Sequence, residues 1–332
     1  MKTSIPYSLI LAAASCGLAL GAETAYTVPV GYVSLGNPAA ATDNVPAFTD
    51  VFVSIPVLKS ASFAGLISAV GTDTLTVTTT PAFANDVWNV TPHVVVVESG
   101  AKSGLILPIL SNIANQLTVG LGTYNLTGIL ANDKLSIRPA WTLSTFMSGA
   151  SSLAGVQFLP FSNSQFAINN SPDSPYFFVG GNWENADGDP ANNLVLYPGE
   201  GFIVRTTATP IAEFTVSGEV PVANSYVAIG QYDGGQRDSV FSYFTPVSEP
   251  LANSGLGFGA GDQLFDFDNT ATGQNKSGVP YFFVSGNWEN GDGDPAGTFP
   301  LQGGKAYLYR RAAATPTGDL FSQNQQAYVP SL

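Results

Sequence analysis

Cysteine is almost missing from this chain. One residue, Cys16, occurs in 332. It lies in "SLILAAASCGLALGA", which follows Lys2 and runs to Gly21 and Ala22. A positive start, an apolar middle and a small-residue end read as an export signal over 1–22. Without that segment no disulfide, thiolate nucleophile or cysteine metal site remains. Ala13 stands where a lipoprotein signal carries Leu, and apolar residues continue past Cys16. Both argue against a lipid anchor there.

Histidine is as scarce. His93 alone excludes two-histidine zinc and iron sites. It precedes Val94, Val95, Val96 and Val97, so its plain reading is the first residue of a strand. No GxSxG-type elbow accompanies it to make a hydrolase triad. Positive charge is sparse, with 11 Lys and Arg against 24 Asp and Glu and a net charge of −13. Such a chain repels nucleic acid and anionic lipid. After the leader, no apolar run is long enough to span a membrane as a helix.

What is present points to β-structure. "TLTVTTT" (Thr74 to Thr80) and "LTVGL" (Leu117 to Leu121) alternate in polarity, as half-buried strands do. "VFVSIPV" (Val51 to Val57) and "FIVRTT" (Phe202 to Thr207) are β-branched and aromatic. Turn signals recur at Gly71, Ser99 and Asp233. Only Trp141 to Met147 suggests a short helix. Regularly spaced short strands predict sandwiches or small barrels.

A repeat organises the chain. "PYFFVGGNWENADGDPA" (Pro175 to Ala191) returns as "PYFFVSGNWENGDGDPA" (Pro280 to Ala296), with 15 of 17 residues identical. "AGVQFLPF" at Ala154 answers "AGDQLFDF" at Ala260, and "GEGFIVRTTATP" at Gly199 answers "GGKAYLYRRAAATP" at Gly303. Weaker echoes join "VPVGYVSLG" at Val28 to "VPVANSYVAIG" at Val220, and "DVFVSIPV" at Asp50 to "DSVFSYFTPV" at Asp238. We therefore expect an all-β chain with a duplicated sandwich-like or barrel-like module. Residues 23–57 plus 139–217 form the first copy, and 218–332 the second. Residues 58–138 form a small barrel-like β domain inserted in the first copy. Its expected strands are Leu66–Val70, Leu75–Thr79, Val94–Glu98, Leu105–Ile109, Leu117–Leu121 and Leu135–Ile137.

The stretches "FVSIPVLKSASFAG", "SGAKSGLILPI", "RPAWTLSTF" and "FDNTATGQNKS" resemble those of an uncharacterised family of exported verrucomicrobial proteins. The resemblance covers most of the chain after the leader and implies export but no activity. Where the family has "GAW" followed by bases, this chain has Gly181-Asn182-Trp183-Glu184 and Gly286-Asn287-Trp288-Glu289 followed by acids.

Three readings compete for those loops. Asn185, Asp187 and Asp189, with Asn290, Asp292 and Asp294, place oxygens on alternate residues around Gly188 and Gly293, a pattern suited to Ca²⁺. The twelfth position of a helix-loop-helix calcium loop is Leu here, at 196 and 301, so the ligand set is incomplete. The plain alternative is a turn. Trp183 and Trp288, beside Glu184 and Glu289, have the inventory of a glycan site. The continuous "YFFV" predicts a strand buried in part on both faces, which would place each Trp in a core instead. Glu184 and Glu289, if brought together, would be the paired carboxylates of a glycoside hydrolase. The expectation is an exported envelope or surface protein, structural or adhesive and without catalysis. Its partners would be glycans, other envelope proteins or its own copies.

Overall fold

The computed structural model describes residues 30–37, 39, 42–122, 124–161, 174–221, 225–232, 237–312 and 318–324. The expected export signal with Cys16, and the turn at Asp233, lie outside them. Among the described residues the chain is nearly all β, with one α-helix, Leu143–Met147, at the place the sequence suggests. Thr142 caps it, its hydroxyl accepting from Thr145 N while Thr145 Oγ1 accepts from Thr142 N.

Two five-stranded antiparallel sheets carry the repeat. In the first, the order is Asn182–Glu184, Tyr176–Val179, Gln157–Pro160, Gly201–Arg205, Asp50–Ser54. In the second it is Asn287–Glu289, Val279–Val284, Gln263–Asp266, Ala306–Arg311, Arg237–Ser242. Strand for strand, the orders match. An Asp–Arg pair recurs at the same register: Arg205 Nε lies 2.7 Å from Asp50 Oδ1, and Arg310 Nε lies 2.6 Å from Asp238 Oδ1.

Each sheet covers its own core with one face. Trp183, Phe158, Phe202 and Val53 lie in the first core, and Trp288, Leu264, Tyr307 and Phe241 in the second. With their other faces, the sheets meet each other. Phe52, Phe161, Ile203, Val240, Phe267 and Ala306 form that shared layer. The Phe52 and Phe267 rings stack at 3.8 Å and 6°. This burial on two faces is why "DVFVS" is buried at every position. "YFFV", by contrast, is half-buried with Val179 exposed, so the expectation of two covered faces fails for it. It lies next to the outer edge of its sheet, away from the layer between the sheets.

The seam is reciprocal. Ser54 N donates to Gly304 O, and Ser242 N donates to Gly199 O, both at 2.9 Å. Single bridges join Val53 to Lys305 and Phe241 to Glu200. Each of these contacts is the other's counterpart under the repeat. Asn269 adds one-sided pairing: its amide accepts from Phe52 N and donates to Phe52 O, each at 2.9 Å. At the centre, Gly201 sits against its own counterpart. A Cβ on Gly201 would come 2.6 Å from Ala306 Cβ and 2.5 Å from Val240 Cγ1.

Between Asp50–Ser54 and Trp141 the chain makes a closed barrel. Its order is Phe63–Val70, Thr74–Val77, Gln116–Val119, Ile106–Ile113, His93–Val97, Lys134–Pro139, and back to the first. All six strands fall where the sequence places them, with ends shifted by a few residues. Val95 and Val97 point into the barrel core. Val94 and Val96 point outward, to Leu58, Ala140 and Phe244. The valine run is therefore apolar on both faces for two different cores. Arg138 holds the same junction. It pairs with Glu219 and Glu98 and donates to Lys59 O at 2.8 Å.

Two outcomes follow. Gly201→Ala is expected to cost about 1–3 kcal/mol by overpacking, and adding Ala306→Gly is expected to recover part of it. Denaturant unfolding of both variants checks this, and equal loss in single and double variants would refute the Gly–Ala contact. Arg138→Ala strands buried Glu219 and is expected to cost roughly 3–5 kcal/mol, read by the same method.

Candidate functional site

The loops singled out in the sequence are turns held by their own asparagines. Asn185 Oδ1 accepts from Asp187 N at 3.0 Å and from Asp189 N at 2.8 Å. Asn290 Oδ1 does the same with Asp292 N at 3.0 Å and Asp294 N at 2.9 Å. Gly188 and Gly293, both at φ 84°, take the left-handed position of each turn. The two loops thus share one geometry, closed again by Asn185 N to Asp189 O and Asn290 N to Asp294 O. A calcium ion held by these asparagine oxygens would compete with two backbone N–H groups in each loop. Among the described residues, no group of three or more His, Cys, Asp or Glu side chains is placed to hold a metal ion.

The tryptophans point the other way, into the cores. Trp183 is 1% exposed and Trp288 is 3% exposed. Trp183 packs on Phe158 and Phe178, and Trp288 on Phe283 and Tyr309. Neither offers an open ring face on which a sugar could stack.

Glu184 and Glu289 stay apart. Each ends the outermost strand of its own sheet, four strands from the edge strand that lines the seam. At about 4.8 Å per strand, each lies far to its own side. Neither of the two clefts described next is lined by both.

Two clefts stand out. One, of about 980 Å³, opens beside the second loop and is lined by Asn253, Phe283, Asn287, Trp288, Glu289 and Thr298, among others. The other, of about 610 Å³, lies where the barrel meets the first sheet, with mostly apolar walls and His93, Tyr176, Tyr197 and Glu200 among its lining. His93 Nδ1 donates to Thr91 O at 2.7 Å. Burial, and secondarily Glu200, push the Tyr197 phenol well above its ordinary range, so it stays a neutral hydroxyl. Glu200 Oε2 accepts from Tyr197 N at 3.3 Å. The sequence reading of His93 as a strand start is right, since it opens His93–Val97. That it shares a cleft with Tyr197 and Glu200 carries no local signal, because the residues come from separate folding units.

Comparison of the chain with protein families, with curated proteins and with solved structures finds no match.

Asn185→Ala with Asn290→Ala is expected to lower stability by about 1 kcal/mol per loop, since the freed N–H groups are open to water. Millimolar Ca²⁺ is expected to leave the melting temperature of the parent chain unchanged. A calcium-dependent rise abolished by Asp187→Ala with Asp292→Ala would overturn this and make the loops a metal site.

Proposed function

We propose that this chain is an exported cell-envelope or surface protein with a structural and adhesive role. The observation that carries this reading is the seam. Reciprocal main-chain bonds, an aromatic stack and the Asn269 bridge join two β modules through their packed faces. The barrel is fixed to both by Val94, Val96 and Phe244. A protein that bears load or displays surface gains from such stiffness. Each acidic turn follows the outermost strand of its own sheet, at an exposed edge. The negative charge and the N-terminal signal favour an extracytoplasmic place and disfavour nucleic acid as a partner.

A second reading, glycan binding, is favoured by the cleft beside Trp288. Its lining combines amides, a hydroxyl, a carboxylate and an aromatic wall, the usual composition of a site for a neutral hydroxylated ligand. In this reading Trp288 shapes the wall and does not stack.

Protease treatment of intact cells is the test of place. The protein is expected to be removed while a cytoplasmic marker survives, and its N-terminus is expected to follow Ala22. Recovery of the uncleaved chain in the cytosol would sink the export reading. Retention of the purified mature chain on isolated envelopes is expected, and free passage would sink the adhesive role.

A further inference from the structure

The two modules differ at one position that matters to the second cleft. In the first module, Asn192 lies just past the repeated words. Its Oδ1 accepts from Trp183 N at 2.9 Å, and its Nδ2 donates to Asn182 Oδ1 at 3.0 Å. The carboxamide thus completes the outer edge of the strand Asn182–Glu184. In the second module the counterpart is Gly297.

The backbone around the two positions runs the same way. Ser144 N donates to Asn192 O, and Ala252 N donates to Gly297 O. Ala191 N donates to Trp183 O, and Ala296 N donates to Trp288 O, both at 2.7 Å. Since one strand residue turns its N–H and C=O to the same side, the Trp288 N–H also faces this outer edge. Gly297 has no side chain to meet it, and Asn287 has no amide opposite it. The room left is part of the cleft of about 980 Å³.

We propose that this cleft binds a neutral saccharide through two adjacent hydroxyls, in the place that Asn192 fills in the first module. This rests on the glycan reading and adds its location and chemistry. The vacated place asks for an acceptor to meet Trp288 N–H and, beside it, a donor to meet Asn287 Oδ1. A vicinal diol supplies both, because each hydroxyl donates and accepts. Glu289 accepts from a further hydroxyl, Asn253 and Thr298 bond others, and Phe283 forms the apolar wall. No Lys or Arg lines the cleft, and Glu289 repels anions, so acidic sugars are excluded. A lone carboxamide would leave most of the volume empty.

The test is a titration of neutral oligosaccharides against the mature chain, Gly297→Asn, Asn287→Ala and Asn192→Gly, read by calorimetry and by the Trp288 amide resonance. Gly297→Asn refills the place with the first module's own group. Gly297 has φ outside the left-handed region, and an added Cβ meets only Ala252 Cβ, at 3.2 Å. It is expected to weaken binding by about tenfold or more without lowering the melting temperature. Asn287→Ala, at an exposed position, is expected to weaken binding similarly, and Asn192→Gly to add a second equivalent of bound sugar. Saccharide binding that survives both Gly297→Asn and Asn287→Ala would overturn this site while leaving the glycan reading standing. No binding to any form would overturn the glycan reading and this site with it. Binding of glutamine-containing peptides in place of sugars would overturn the saccharide assignment alone.

Discussion

The seam between the two sheets is the constraint on which the rest depends. An unpaired edge strand invites pairing with another chain. Here the edge of Asp50–Ser54 is covered by Gly304, Lys305 and Asn269 of the second module. The edge of Arg237–Ser242 is covered in turn by Gly199 and Glu200 of the first. Each module thus protects the vulnerable edge of the other. The same strands bury a second apolar face, so neither sheet would be complete without its partner. Close approach at the centre leaves room for one methyl group between two equivalent positions, and the chain has Gly201 on one side and Ala306 on the other.

The barrel follows from this arrangement. A closed barrel between Val57 and Trp141 would hang on a flexible tether unless its outer surface found a partner. The strand His93–Val97 supplies one by being apolar on both faces, and Arg138 adds a charge satisfied only by residues of two units. Such a buried charge is poor evidence for stability but does select one docking geometry. The apolar cleft with His93, Tyr197 and Glu200 is a by-product of this docking, since its walls come from both partners.

Repetition sets the frame, and within the repeated words the modules depart from it at few positions. The turns at Asn185 and Asn290 are built alike, and the tryptophans before them occupy matching core positions. The same words therefore serve the fold in both modules. The two modules differ one residue beyond the identical run, where Asn192 closes an edge that Gly297 leaves open. Comparing the two copies past the end of their identity was the only sequence signal available for it.

Much of the architecture was legible from the residues alone. Alternation of polarity marked the strands at Leu75 and Leu117, the identical words matched the two sheets, and scarce cysteine and histidine narrowed the chemistry. These are local properties, carried by side-chain type and by a period of two. The tertiary structure decided that Glu184 and Glu289 stay apart, that the "YFFV" strands are half-buried, and that His93 shares a cleft with Glu200. It also decided which main-chain N–H meets a side chain and which meets open space. These depend on pairing between segments distant in the chain. Register and docking are chosen by which faces can be buried together, and no short stretch of sequence holds that information.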